Sequence, residues 1–378
     1  MNQISTQKRS FALYFVAYCP LGALCPLVGQ YLSSIGFSGT QVGIITSMGT
    51  AMAVFAGMFW GKVYANAFHK KWVIAIMFMG AAVMALMSLS TKVFIIYTLI
   101  YSCMYFFQGP VHGLCDSLVM DNNGNFAIVR SAGAVGYALS VYFAGKYAET
   151  HGLDKIFIIY AAAFVLAIFI VMGEKEPPQY SRKDERISAA ELLKNKRYIQ
   201  LLICAFFIMG TNVGNSTYFG YLFRESGGSL AGIGLAFLLM AGSEAPFMFL
   251  IPTITKKISS EKLLLLGIAL CVVRFGFYAA GPGWKVLLGT FFLQGITNGI
   301  ILVELVKYCA KVVEQRLSSI AVATYYAVGN NLSIILCNLI GGMVLDMSGA
   351  RGVYMFFAAW NLMALILYII LGLYKENK

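Results

Sequence analysis

Charge is what this chain of 378 residues has least of: 12% are Asp, Glu, Lys or Arg, and only 16 are acids. A soluble domain averages about 25% charged residues, so a soluble fold is excluded. Histidine is scarcer still. His69, His112 and His151 stand far apart, without metal-ligand spacing. The eight cysteines (Cys19, Cys25, Cys103, Cys115, Cys204, Cys271, Cys309, Cys337) contain no C-x-x-C pair, which argues against a disulfide framework or a metal site. They read as small residues filling helix contacts. There is no Gly-Lys-Ser/Thr phosphate loop, so ATP is not expected to drive the protein. No serine or cysteine triad can be assembled, and the expectation is a protein that is not an enzyme and holds no cofactor or metal. A cleavable signal peptide is also missing: the apolar run after Arg9 is too long and has no small-residue cleavage site, so it reads as a first membrane span.

What the chain has is apolar length. It is 59% hydrophobic, with a mean hydropathy of +0.75. Runs of about 20 apolar residues cross about 30 Å of hydrocarbon, and charges with Gly/Pro breaks mark off twelve: 10–34, 40–64, 72–90, 93–119, 126–148, 155–173, 197–222, 229–254, 261–281, 284–308, 317–345 and 351–373. This predicts an all-α membrane protein. One polar stretch, with Pro177 and Pro178, divides the chain into a first six-helix bundle at 1–173, a linker at 174–196 and a second bundle at 197–378. Lys8, Arg9, Lys70, Lys71, the linker cations, Lys256, Lys257, Lys262, Lys311, Arg316, Lys375 and Lys378 fall on one side of that topology. The positive-inside rule then places the linker and both termini in the cytoplasm, in the inner (cytoplasmic) membrane. The net charge of +12 resides in these connectors, with no basic face interleaved with aromatics, so nucleic acid is not an expected partner.

The halves echo one another. Ala134-Val135-Gly136 recurs as Ala327-Val328-Gly329, and Gly145 and Gly152 recur as Gly342 and Gly349 at the same seven-residue spacing. Tyr31-Leu32 with Gly36 and Gly43 recurs as Tyr221-Leu222 with Gly227 and Gly234. Three echoes, each offset by half a chain, predict a duplicated six-helix unit, the parallel repeat that places a solute site between two rocking halves.

Charges inside the spans single out candidate residues. Asp116 and Arg130 lie on consecutive spans, separated by the polar connector Asp121 to Asn125, which reads as a tight turn. Such residues within a membrane are costly unless paired or hydrated. Glu244 sits close to the middle of span 8, within Gly242-Ser243-Glu244-Ala245-Pro246, and Glu304 stands three residues before Lys307 in span 10. Glu244 and Glu304 are the candidate proton carriers, with Arg274 the expected charge partner of Glu244. Asn212, Asn215 and Tyr218 on span 7, Gln294 and Asn298 on span 10, and Asn330 beside Asn331 on span 11 supply neutral hydrogen-bonding groups. Amides and hydroxyls facing a cavity suit polyhydroxylated or heterocyclic solutes, though each also serves as an ordinary interhelical contact.

The sequence resembles the major facilitator superfamily, within it the branch that holds lactose permease and the phenylpropionate-type permeases. Asp116 stands where that branch has its helix 4 acid, Arg130 at its helix 5 arginine, and Tyr137 where the sugar is stacked on a tryptophan. Val273-Arg274-Phe275-Gly276 resembles the helix 9 arginine, and 341–349 resembles the motif that closes helix 11. With helix 10 registered on Lys307-Tyr308, the family histidine becomes Gln294 and the proton-carrying glutamate becomes Thr297. The motif after span 2 also departs, with Ala65 and Asn66 in place of its acid and base. The resemblance implies twelve transmembrane helices in two pseudo-symmetric bundles working by alternating access. The expected function is proton symport of a small organic solute, a sugar or glycoside, by a monomer. An aromatic or organic-anion permease, a nucleoside permease and an uncoupled facilitator or exporter stay open beside it. The expected solute contacts are Asp116, Arg130, Tyr137, Asn212, Asn215, Tyr218, Arg274, Gln294, Asn298 and Asn330.

Overall fold

A computed structural model describes residues 3–121, 126–176 and 189–375, and every regular element among them is helical. The connector residues Asn122 to Asn125 and, with Pro177 and Pro178, most of the linker lie outside the described residues. Among the described residues, ten helices are long and apolar enough to cross a membrane. The first four are α1 (Gln7–Ser34), α2 (Gly39–Asn66), α3 (Lys70–Ser90) and α4 (Phe94–Met120). The fifth helix, α5 (Phe126–His151), carries Arg130, Lys146 and Glu149 and stands outside those ten, yet its 26 residues suffice to span. Then come α6 (Lys155–Met172), α7 (Lys196–Glu225), α8 (Leu230–Ile254), α9 (Ser260–Ala279) and α10 (Trp284–Lys311). The last apolar stretch, Ile320–Ile370, is 51 residues long and breaks at Gly349 (φ 68°, ψ −173°). It therefore holds two spans, α11 (320–348) and α12 (350–370), which completes twelve.

Local chemistry sets the ends of these helices. Ser38 opens α2 with a capping box: its hydroxyl accepts from Gln41 N and its own N–H donates to Gln41 Oε1, satisfying two otherwise orphaned donors. The Asn195 side chain caps α7 by accepting from Tyr198 N at 3.0 Å. The turns after α1 and α7 are made at Gly36 (φ 96°) and Gly227 (φ 89°), and those after α5 and α11 at Gly152 (φ 98°) and Gly349. Only glycine takes such backbone angles without strain. All four belong to the sequence echoes, so the repeat includes these turns.

The chain divides into two compact units. One comprises Met1–Arg182 with Ser229–Leu238, the other Lys183–Gly228 with Leu239–Lys378. The division falls inside the stretch read as linker, and the first turns of α8 group with the first unit. Within the first unit α1 packs along α5, α2 along α4 and α3 along α6. Within the second, α7 packs along α11 and α9 along α12, while α8 meets α10 at Gly295, where a Cβ would lie 2.1 Å from Met240 O. The same helix pairs recur in both units, which is the pseudo-symmetry of the fold. The second unit's interior is aromatic, with Phe219 and Phe291 rings 4.0 Å apart and Tyr354 against Phe275 and Tyr278.

Candidate functional site

In the first unit, the charged pair is built on α1. Arg130 Nη1 lies 3.8 Å from Asp116 Oδ1, with side chains 51% and 25% exposed. Each partner also takes a tyrosine of α1: the Tyr14 hydroxyl donates to Asp116 Oδ1, and Arg130 donates to the Tyr18 hydroxyl. The guanidinium also lies over the Tyr18 ring, 5.0 Å from its centroid. Tyr14 and Tyr18 are four residues apart on one face, with stacked rings 5.9 Å apart. His112 closes the group against Tyr18, its Nε2 2.9 Å from Ala17 O. Small residues make this possible. A Cβ on Gly133 would meet the Tyr18 ring at 2.7 Å, and one on Gly136 would meet Phe15 O at 2.0 Å, so α1 and α5 touch backbone to backbone. Tyr137, half-buried, sits two turns from Arg130 on the same face of α5. A pair this exposed adds little stability, but its charges stay within reach of a solute.

In the second unit the cation is sealed. Arg274 is 4% exposed, and its hydrogen bonds run to neutral oxygens: Gln294 Oε1, Thr297 Oγ1 at 3.4 Å and Asn212 Oδ1 at 3.2 Å. The guanidinium lies over the Phe275 ring. Gln294 Oε1 also accepts from Asn215 Nδ2 at 3.1 Å, and Asn215 Oδ1 accepts from the Tyr354 hydroxyl at 2.5 Å. The Cys271 thiol reaches Asn212 Oδ1 at 3.6 Å. With its oxygen held by two donors, the Gln294 amide is fixed in one of its two flips. The result is a lattice of Asn212, Asn215, Arg274, Gln294, Thr297 and Tyr354 drawn from α7, α9, α10 and α12. Charge-assisted bonds of this kind contribute about 1.5–3 kcal/mol each.

The remaining candidates sit apart from that lattice. Tyr218 is fully buried, and its hydroxyl donates to Asn338 O at 2.6 Å, tying α7 to α11. Asn298 Nδ2 lies 4.0 Å from Met240 Sδ. Glu244 is half-buried, its backbone against Gly295 of α10. The Glu304 side chain is wholly buried, bonded by Lys307 Nζ at 3.0 Å through Oε1, while Oε2 has no hydrogen-bond partner. Asn330 lies in a π-helical stretch of α11, Tyr325–Leu332, where its Nδ2 donates to Asn331 Oδ1 and its own Oδ1 is buried without a partner. π-Helical stretches occur mostly as functional interruptions of a helix. Tyr354 and Cys271 were not among the sequence candidates; only their position beside the arginine reveals them. Among the described residues, no group of three or more His, Cys, Asp or Glu could hold a metal.

Comparison with known proteins agrees with this architecture. The model of the MFS_1 like family matches residues 9–356. A maltose permease of Geobacillus stearothermophilus is 31% identical over 386 residues, covering 97% of this chain and 95% of that protein. An uncharacterized transporter of Bacillus subtilis (strain 168) is 26% identical, covering 100% and 97%. The crystal structure of nucleoside transporter NupG superposes with a TM-score of 0.86 at 18% identity over 100% of both chains, a likeness of fold. The chain belongs to the MFS_1 like family and is a multi-pass membrane transporter of the major facilitator type.

Proposed function

We propose that the protein carries a neutral, polyhydroxylated solute, a sugar or glycoside, by alternating access and in symport with protons. The observation that carries the solute class is the Arg274 lattice. A buried guanidinium whose donors go to amide and hydroxyl oxygens holds a set of neutral polar groups in place, and such groups match hydroxyls better than a carboxylate. The similarity to a maltose permease points the same way. A nucleoside is the second reading, favoured by the likeness to nucleoside transporter NupG; its ribose would use the same amides. Asp116, Arg130 and Tyr137 are the proposed solute contacts of the first unit. Asn212, Asn215, Arg274 and Gln294, with Tyr218, Asn298 and Asn330 around them, are those of the second.

Because Gln294 and Thr297 cannot titrate, Glu244 and Glu304, the acids singled out within spans 8 and 10, are the proposed proton carriers. Burial raises the affinity of a carboxylate for a proton, and a nearby cation lowers it. Of the two, Glu244 lies nearer the middle of its span and is the proposed carrier. A monomer in the cytoplasmic membrane with both termini inside completes the reading. Reconstituted into proteoliposomes, the protein should change the internal pH when sugar is added. Glu244→Gln should abolish that change while counterflow exchange persists. Solute flux without any pH change, equal in both proteins, would contradict proton coupling.

A further inference from the structure

The first unit contains a buried acid that the solute-binding account does not use. Glu174 follows the last turn of α6 and is 3% exposed. Its Oε1 accepts from the Ser10 hydroxyl at 2.9 Å, and its Oε2 is buried without a hydrogen-bond partner. The cations nearby are directed elsewhere. Arg9 Nη1 donates to Gly173 O at 2.7 Å, and Lys71 Nζ reaches Met172 O and the backbone oxygen of Glu174 at 3.5 and 3.4 Å. Both cap the carbonyl end of α6, where positive charge is favourable. The carboxyl itself turns inward.

Through Ser10 it joins the same face of α1 that carries the Asp116 cluster. Ser10, Tyr14 and Tyr18 recur every fourth residue on α1, and their hydroxyls engage Glu174, Asp116 and Arg130 in turn. Four residues of helix rise about 6 Å, so the two acids are bonded to hydroxyls one turn apart. The Cys115 thiol, next to Asp116 on α4, lies within electrostatic reach of both carboxyls. We infer that Glu174 is a proton-binding site that exchanges protons with Asp116 along the hydroxyl stripe of α1. In the exchange Glu174 gives up the proton on its carboxyl and becomes a carboxylate, Asp116 takes it and becomes the acid, and the summed charge of the pair is unchanged. With Asp116 neutralised, Arg130 loses its counter-charge and becomes available to solute oxygens.

The surroundings set the sign of the titration. Burial raises the Glu174 carboxyl above the usual glutamate range, while the Ser10 hydrogen bond, the Arg9 charge and the Lys175 backbone N–H pull it back. Glu176 stands on its own segment, 3.9 Å from Lys71 of α3. A raised folded-state value means that protonation favours the folded unit. That stabilisation is complete below the usual glutamate value and is lost as pH rises through the raised one.

The inference extends the proton-coupled reading, but its test needs no solute and stands if symport fails. Infrared titration of the full-length protein in liposomes should show a protonated-carboxyl band that persists above the usual glutamate range and is missing from Glu174→Gln. Asp116→Asn should shift the midpoint of that band, because its exchange partner is gone. Ser10→Ala should raise the midpoint by removing the donor that stabilises the carboxylate. That second shift needs only the serine variant to fold, so failure of the glutamine variant would not stop the test. A Glu174 carboxyl that titrates like free glutamate, or one indifferent to Asp116→Asn, would overturn the inference.

Discussion

Arg274→Met should lower solute exchange about 100-fold or more while the unfolding midpoint falls by only a few degrees. The arginine fixes Gln294, Thr297 and Asn212 together, and a factor of 100 corresponds to about 2.8 kcal/mol, the worth of one or two charge-assisted hydrogen bonds. The fold should suffer less, because the oxygens left behind keep other donors. Gln294 Oε1 retains Asn215 Nδ2, and Asn212 Oδ1 retains the Cys271 thiol. Removing the guanidinium also removes the cost of desolvating a buried charge. Arg274→Lys should fare little better in transport, since one ammonium cannot reproduce the planar fork that meets three oxygens. Counterflow rates and melting in detergent, measured on the same preparations, separate the two effects. Full exchange in Arg274→Met would show that the lattice does not hold the solute site.

Gly136→Val should be the most damaging single change in the first unit. The added carbon would lie 2.0 Å from Phe15 O and 2.8 Å from Phe15 C. Those are backbone atoms that no rotamer change can move aside, so α1 and α5 must separate. Phe15 lies between Tyr14 and Tyr18, and separation pulls both tyrosines off Asp116 and Arg130. Overpacking usually costs about 1–3 kcal/mol. At a backbone-to-backbone crossing the upper end is expected, a fall in melting temperature of about 6–10 °C at the few degrees per kcal/mol typical of a domain this size. Gly61→Val is the control: nothing lies within 4 Å of a Cβ there, and it should melt like the parent. Equal melting of the two variants would contradict the close crossing.

Much of this was legible in the sequence because membrane spans are written in length and hydropathy. The twelve segments coincide with the helices to within a few residues, and four of the echoed glycines, Gly36, Gly227, Gly152 and Gly349, are positive-φ turns. Gln294 and Thr297, the two positions singled out on helix 10, both accept hydrogen bonds from Arg274. Tertiary packing hid the rest. The expected partner of Arg274 was Glu244, whereas its hydrogen bonds go to neutral groups; periodicity along one helix does not reveal which face of the next helix it meets. Tyr354 lies 80 positions beyond Arg274 in the chain, and no local pattern joins them. Glu174 read as the first residue of a polar linker. Its burial depends on Ser10 of α1, and only the folded unit brings that serine alongside.

The central claim is a site for a neutral, hydroxyl-rich solute organised by the Arg274 lattice. Its most direct test is counterflow of labelled maltose in proteoliposomes, challenged with unlabelled maltose, sucrose, uridine and an aromatic carboxylate, in the parent protein and in Gln294→Ala. The account predicts exchange that the sugars inhibit, with uridine weaker and the carboxylate inert, and loss of that exchange in Gln294→Ala. Inhibition by the carboxylate alone, or maltose exchange untouched by Gln294→Ala, would contradict it.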